Sequence, residues 1–307
     1  MRAPLAGVWV AMPTPWTSSG TIDAGVVGEL VQRYAAAGLH GAYTTGTDGE
    51  MHVLDLPDFT ALAEAFGKAV FDAGIPAQMG CTWSHTDGVI ERARIAAANG
   101  IDTIHVALPS WVPLNDREML RFFEALQREL PETRLVHYNI ANAGRFLTGK
   151  DYRAILDVAP NLAGSKHTGG NVASLIEIVD ATPGLDHFVV DTQIVPGAMF
   201  GAKGFYSFIA NLSPELALRL WTLASTGQWD EAARLRERLD RLFRAWRSGR
   251  DGITASPALG KIATAAGVFP EMPLSVRAPY LAGEATDVQT LRGLVVSEFP
   301  ELRSQGG

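Results

Sequence analysis

Apolar runs of four to six residues alternate with longer stretches in which apolar positions recur every three to four residues, and the alternation repeats eight times. The short runs predict strands at Gly7–Met12, Gly41–Thr45, Pro76–Gly80, Thr103–Leu108, Leu135–Tyr138, Ala163–Lys166, His187–Val190 and Gly204–Phe208. Between and after them lie helical patterns near residues 23–37, 57–73, 87–99, 115–130, 148–159, 171–181, 194–200 and 214–225. The first sets Val26, Val27, Leu30, Val31 and Tyr34 on one face of a 3.6-residue period. Strict strand–helix alternation implies parallel strands, because a parallel neighbour can be reached only through a crossover. Eight such units, without a Gly-x-Gly-x-x-Gly turn after the first strand, where the chain reads Ala11-Met-Pro-Thr-Pro-Trp16, predict a closed (β/α)8 TIM barrel over residues 1–225. Beyond it, residues 226–307 read as a C-terminal helical extension, with Leu235, Leu239, Leu242, Phe243 and Trp246 on one stripe.

Composition bounds the function. In 307 residues, 47% are hydrophobic, enough for a large core, and the formal net charge of −7 makes a nucleic-acid or anionic-membrane surface an unexpected partner. The arginines of the 230–247 helix are interleaved with Asp230, Glu231, Glu237 and Asp240, so a solvated or subunit-contact face is expected there. The opening apolar run is short and closed by Pro13 and Pro15, and no run approaches the roughly 18 apolar residues of a membrane helix, so neither a signal segment nor a membrane span is expected. The single Cys81 excludes an intrachain disulfide and fits a cytoplasmic location. The histidines lack a His-Glu-x-x-His or clustered spacing, so no metal is expected.

Only five lysines accompany 21 arginines, and of the five only Lys166 ends a predicted strand, where a barrel of this kind places its site. In an apolar mouth an amine can lose its proton and condense with a ketone or aldehyde, and the iminium formed is an electron sink for an adjacent bond. A lysine held in a loop ion pair is the other reading of the same position. Tyr138 ends the neighbouring strand, as a proton carrier or as an ordinary core tyrosine. The Gly- and Thr-rich loop Tyr43–Glu50 offers Thr47, although any tight strand-to-helix loop favours such residues. Cys81 and Trp83, after the third strand, either line the cavity or pack in the core, and His167 is expected to face outward.

Together these segments resemble the dihydrodipicolinate synthase and N-acetylneuraminate lyase family, Schiff-base-forming lyases and aldolases on a (β/α)8 barrel with a helical C-terminal region. The similarity runs from Ala6-Gly-Val-Trp-Val-Ala-Met-Pro-Thr-Pro15 through Gly20-Thr-Ile-Asp23, Gly46-Thr-Asp-Gly-Glu50, Tyr138-Asn139 and Ser165-Lys166 to Gly201-Ala-Lys-Gly204 and Ala210-Asn211. The resemblance implies Lys166 as the imine-forming lysine, Tyr138 as the proton shuttle and Thr47 as the hydroxyl linking it to substrate. The expected substrate-binding set is Gly46, Asp48, Trp111, Asn139, Thr168, Asp191, Gln193 and Tyr206, with Thr192 beside them.

Departures from the family pattern bear on the substrate. Asp48 stands where a hydroxyl residue usually helps to receive a pyruvate-type carboxylate, and an inward, ionised Asp48 repels such a group by about 4 kcal/mol at ~4 Å and an effective dielectric near 20. Ala141 replaces a proline, the distal-carboxylate arginine is missing near Ala143 with Arg145 two residues on, and Pro109-Ser-Trp111 lacks a phenol of the synthase proton relay. The resemblance therefore implies a cofactor-free Schiff-base lyase, cleaving or condensing a C–C bond of a 2-oxo acid or related carbonyl compound, with atypical specificity and outside lysine biosynthesis. Dehydration of a keto-deoxy sugar acid through the same imine is the alternative, and a non-catalytic carbonyl-binding barrel is the alternative of another class. A homo-oligomer, tetramer or dimer, is implied as well.

Overall fold

The eight predicted runs are eight strands, joined in chain order into a closed parallel barrel. The computed structural model describes residues 5–248 and 256–305. The strands are β1 (Gly7–Ala11), β2 (Gly41–Thr44), β3 (Ala77–Gly80), β4 (Thr103–Val106), β5 (Arg134–Ile140), β6 (Leu162–Thr168), β7 (Asp186–Val190) and β8 (Gly204–Ser207). They are followed in turn by α1 (Ala24–Ala36), α2 (Leu56–Ala73), α3 (Thr86–Ala98), α4 (Asp116–Glu129), α5 (Gly149–Val158), α6 (Val172–Ala181), α7 (Ile194–Met199) and, after β8, a short α8 (Ile209–Leu212) and α9 (Pro214–Ser225). β5 and β6 run further than their apolar stretches, pairing Tyr138 with Lys166, Asn139 with His167 and Ile140 with Thr168. The backbone ladder is indifferent to side-chain polarity, so polar residues at a strand end hide the strand from a hydrophobicity pattern. β6 stops where Gly169 and Gly170 take positive φ.

Strand alternation sorts the side chains into two cores. Trp9, Ala11, Tyr43, Val136, Phe188 and Tyr206 fill the barrel interior, while Val8, Val10, Ala42, Leu135, Val189 and Phe205 face the helices. The interior is crowded enough that a Cβ on Gly41 would lie 2.4 Å from the Trp9 ring, which explains glycine at the start of β2. The helices start on side-chain caps. Asp23 accepts from the Val26 amide, Asp55 from Asp58, and Asn115–Glu118 and Thr148–Asp151 form reciprocal capping boxes.

The C-terminal extension comprises α10 (Trp229–Arg247), α11 (Ser256–Ala266) and α12 (Ala285–Glu298). On α10, Leu235, Leu239, Leu242 and Trp246 are buried and Phe243 is half-buried. Four of its arginines pair with acids: Arg234 with Glu231, Arg236 with Asp240, Arg238 with Glu301 and Arg241 with Glu237. α11 packs across α8, and Gly267 sits so close to Leu212 that a Cβ there would come within 1.8 Å of its carbonyl oxygen. Among the described residues no helix is long and apolar enough to cross a membrane.

Candidate active site

At the C-terminal ends of the strands lies a cavity of about 470 Å³, lined by Lys166, Tyr138, Thr47, Asp48, Asp191 and Tyr206 among others. β6 presents Lys166 inward by the same parity that turns Ser165 and His167 toward the helices. Lys166 is 5% exposed. Its Nζ stands 4.2 Å from the centre of the Tyr138 ring, 4.9 Å from Tyr206 and 5.1 Å from Tyr43. Three electron-rich ring faces thus enclose the lysine nitrogen. No carboxylate is salt-bridged to it among the described residues, so the ion-pair reading of this lysine finds no partner there.

Beneath the lysine the barrel floor is polar. The Tyr206 hydroxyl donates to Gln78 Oε1 in a short bond, and the Tyr43 hydroxyl lies 3.2 Å from His105 Nδ1. Burial, with the positive charge of Lys166, pushes the His105 pKa well below the usual imidazole value, so this ring is neutral. Burial likewise raises the Tyr43 and Tyr206 phenols and keeps them protonated. Sequence reasoning missed Gln78 and His105, although both stand within strands at positions where an apolar residue is the rule.

The loop after β2 is held from outside the barrel. Thr45 and Glu50 both take left-handed backbone, φ +55 and +57, which is costly for a β-branched residue. Thr45 Oγ1 is fixed near the Thr44 and Gly80 carbonyl oxygens. The Glu50 carboxylate, fully buried, accepts from the Trp16 indole, the Arg277 amide and the Lys261 ammonium, and Lys261 also donates to the Ser275 carbonyl. Thr47 and Asp48 are carried on this clamped turn, with Asp48 Oδ1 facing Gly260 of α11.

Asp191 closes the far wall. Its carboxylate accepts from Ser207 Oγ at 2.9 Å and from the Phe208 amide at 2.7 Å. Desolvation lifts its pKa to about 6 against those bonds and the charge of Arg236. Thr168 lines the same cavity, as do Arg247 from α10 and Leu259 from α11. Arg247 escaped the sequence reading because its helix was read as a solvated face.

Other expected site residues stand elsewhere. Trp111 is 92% exposed, because the chain leaves β4 at Val106 and runs outward between Pro109 and Pro113, so it is no cavity wall of this chain. Asn139 follows Tyr138 and so points outward, its amide bracketing the Leu147 backbone by donating to the carbonyl and accepting from the N–H. Gln193 donates to the Gly169 carbonyl and does not line the cavity, and Thr192 is exposed. Gly46 is required by Tyr43, whose hydroxyl would lie 2.1 Å from a Cβ there, and it too is absent from the lining. Arg145 bridges Asp116 and Asp151 and does not reach the cavity. Cys81 is a buried thiol whose pKa burial raises. His167 faces outward as expected, its Nε2 2.7 Å from Ser165 Oγ.

The family model described as the dihydrodipicolinate synthetase family matches residues 4–279. The chain belongs to that family. With it comes the enzyme class, for family members are lyases and aldolases. A 4-hydroxy-tetrahydrodipicolinate synthase of Exiguobacterium sibiricum is 27% identical over 290 residues, 93% of this chain and 97% of the relative. Among solved structures, a prophage protein of the dihydrodipicolinic acid synthase family from E. coli K12, in complex with pyruvate, superposes with a TM-score of 0.85 at 21% identity, covering 96% of this chain and 99% of that one. A sialic acid aldolase from Ruminococcus gnavus, a catalytic lysine mutant, gives 0.86 at 22% identity over 96% and 97%. At these identities the two structures establish the shared barrel of the dihydrodipicolinate synthetase family.

Proposed function

We propose that the protein is a cofactor-independent Schiff-base lyase acting on a 2-oxo acid, with Lys166 as the nucleophile. The observation that carries this reading is Lys166 Nζ at the base of the cavity, against three tyrosine rings. The neutral amine attacks the 2-oxo carbon, the carbinolamine loses water, and the iminium withdraws electrons from the neighbouring carbon so that a C–C bond there breaks or forms. Tyr138, paired in register with Lys166, moves protons to and from the carbinolamine oxygen and the reacting carbon, and Thr47 carries its hydroxyl to the same cavity. The pyruvate complex of the prophage relative supports a 2-oxo acid as the imine partner. Asp48 and Asp191 on the cavity wall support a specificity that departs from that of the synthases.

Reduction with borohydride in the presence of pyruvate, followed by peptide mass analysis, tests the assignment. A reduced pyruvate adduct on Lys166 is expected, and its absence across pyruvate and a panel of other 2-oxo acids would overturn the reading.

The protein is also proposed to act as a homo-oligomer. Trp111 at 92%, Val112 at 70% and Phe146 at 42% exposure lie on two adjoining loops, tied by the Arg145–Asp116 bridge, and apolar surface of this kind favours contact with another subunit. Light scattering at micromolar concentration should give a multiple of the chain mass, and a monomer would refute it.

A further inference from the structure

The three tyrosine rings that surround the Lys166 nitrogen also close on a second group, in the barrel floor. The His105 imidazole, on β4, has its centre 4.6 Å from that of the Tyr43 ring, 4.8 Å from Tyr138 and 5.3 Å from Tyr206. Lys166 and His105 thus share all three rings as neighbours. His105 is fully buried. Its Nδ1 lies 3.2 Å from the Tyr43 hydroxyl, and its Nε2 is buried with no hydrogen-bond partner among the described residues. Barrel interiors favour branched apolar side chains, and one of those here would spare the about 1–3 kcal/mol that an unpaired buried polar group costs. β4 carries histidine at this inward position against that preference.

We infer that His105 is a positioning residue of the lysine site: it holds the three rings in place from beneath and lends the amine no counter-charge. The inference rests on Lys166 forming the imine. Tyr43 is tethered directly, through its hydroxyl, and its ring meets that of Tyr206 at 5.3 Å. The Tyr206 hydroxyl is in turn fixed on Gln78. Tyr138, the proposed proton carrier, is braced by contact with the imidazole ring, so a packed neighbour sets the direction of its phenol. A misplacement of about 1 Å at such a group can cost on the order of 10²-fold in rate. The titratable groups that face or act on His105 among the described residues are Tyr43 on β2, Tyr138 and His137 on β5, Lys166 on β6 and Tyr206 on β8. Burial and the positive charge of Lys166 disfavour a second cation at His105. A carboxylate in its place would hold a proton on the amine, which a histidine does not.

The test uses the full-length protein with pyruvate, following by mass the rate at which cyanoborohydride fixes the adduct on Lys166. His105→Phe keeps a ring in the floor and removes the bond to Tyr43. Its maximal trapping rate is expected to fall at least ten-fold, while the pyruvate concentration for half-maximal rate stays within about three-fold. His105→Asn returns a hydrogen-bonding group toward the Tyr43 hydroxyl and should trap at least three-fold faster than His105→Phe. Tyr43→Phe removes only the other end of the bond and carries the test should His105→Phe not fold. It should show the same ten-fold loss, and adding His105→Phe to it should cost no more than a further three-fold or so. His105→Asp, matched in shape to His105→Asn, should raise the pH of half-maximal trapping by at least about one unit relative to it, because a carboxylate near the lysine favours its protonated form. Losses below ten-fold in both His105→Phe and Tyr43→Phe, or equal midpoints for the Asp and Asn variants, would overturn the inference. The two readings fail differently. An adduct on Lys166 that the substitutions leave unaffected removes the role of His105 alone, and no adduct in the unsubstituted protein removes both.

Discussion

Glu50 and Lys261, 211 positions apart, meet as an ion pair in which the side chains are 1% and 0% exposed. One belongs to the loop that carries Thr47 and Asp48, the other to α11 of the C-terminal extension. Burial pulls the Lys261 pKa down to about 8 while the Glu50 charge holds it up, so the pair survives on mutual neutralisation in a dry setting.

Removing either partner should therefore cost more than the pair itself contributes. Glu50→Gln or Lys261→Met alone is expected to lower unfolding stability by about 3–5 kcal/mol, because the remaining charge stays buried. The double variant should lose clearly less than the sum of the two. Urea titrations of the four proteins check this.

On the proposed mechanism, Tyr138→Phe keeps the lysine and removes the proton carrier. Turnover should fall by about 10²–10⁴, and borohydride trapping of pyruvate on Lys166 should slow with it, because the same phenol serves the carbinolamine. Unchanged trapping rates would confine Tyr138 to the proton transfers at the reacting carbon.

Asp48→Thr removes a carboxylate from the wall of the lysine cavity. Pyruvate trapping should become at least several-fold more efficient at equal pyruvate concentration. Unchanged or weaker trapping would rule out Asp48 as a charge filter.

A buried histidine cluster behind β5–β7 is expected to make the fold sensitive to acid. Burial lowers the pKa of His137 and His167 to about 3 and that of His187 to about 4. Neutral imidazoles suit their bonds, for His137 Nδ1 lies 2.8 Å from the Tyr152 hydroxyl and Ser165 Oγ lies 2.7 Å from both His167 and His187. Folded values below the unfolded one mean that the stability is fully present above about pH 6.5 and is lost as pH falls toward the folded values. Between pH 6.5 and 5 each ring withdraws about 2 kcal/mol. Asp191, raised to about 6, has the opposite sign, its contribution being present below about pH 4 and lost as pH rises through 6. The three rings outweigh it, so denaturant midpoints should fall steeply between pH 6.5 and 5, and His167→Gln should flatten that fall.

Much of this was legible from residue order. Eight apolar runs gave eight strands, and the position of Lys166 at the end of one of them put it at the barrel mouth, where it lines the cavity. Asn139 was misjudged although the rule was at hand, since an inward Tyr138 forces its neighbour outward. Trp111 looked like a wall because sequence places it after β4 but does not say in which direction the loop leaves. Glu50–Lys261 and Arg247 were invisible for a different reason. Contacts across more than 200 residues, or from a helix outside the barrel repeat, depend on how the extension docks, and no local period encodes that.

The Tyr138–Lys166 register has a consequence for redesign. The two side chains face each other from adjacent strands, so a backbone ladder with a spacing of about 4.8 Å sets their separation, and no loop takes part. The segments that shape the mouth can then be exchanged for those of other barrels while Tyr138 and Lys166, the proposed chemical pair, keep their distance. New substrates are best sought by grafting loops onto an untouched β5–β6 ribbon.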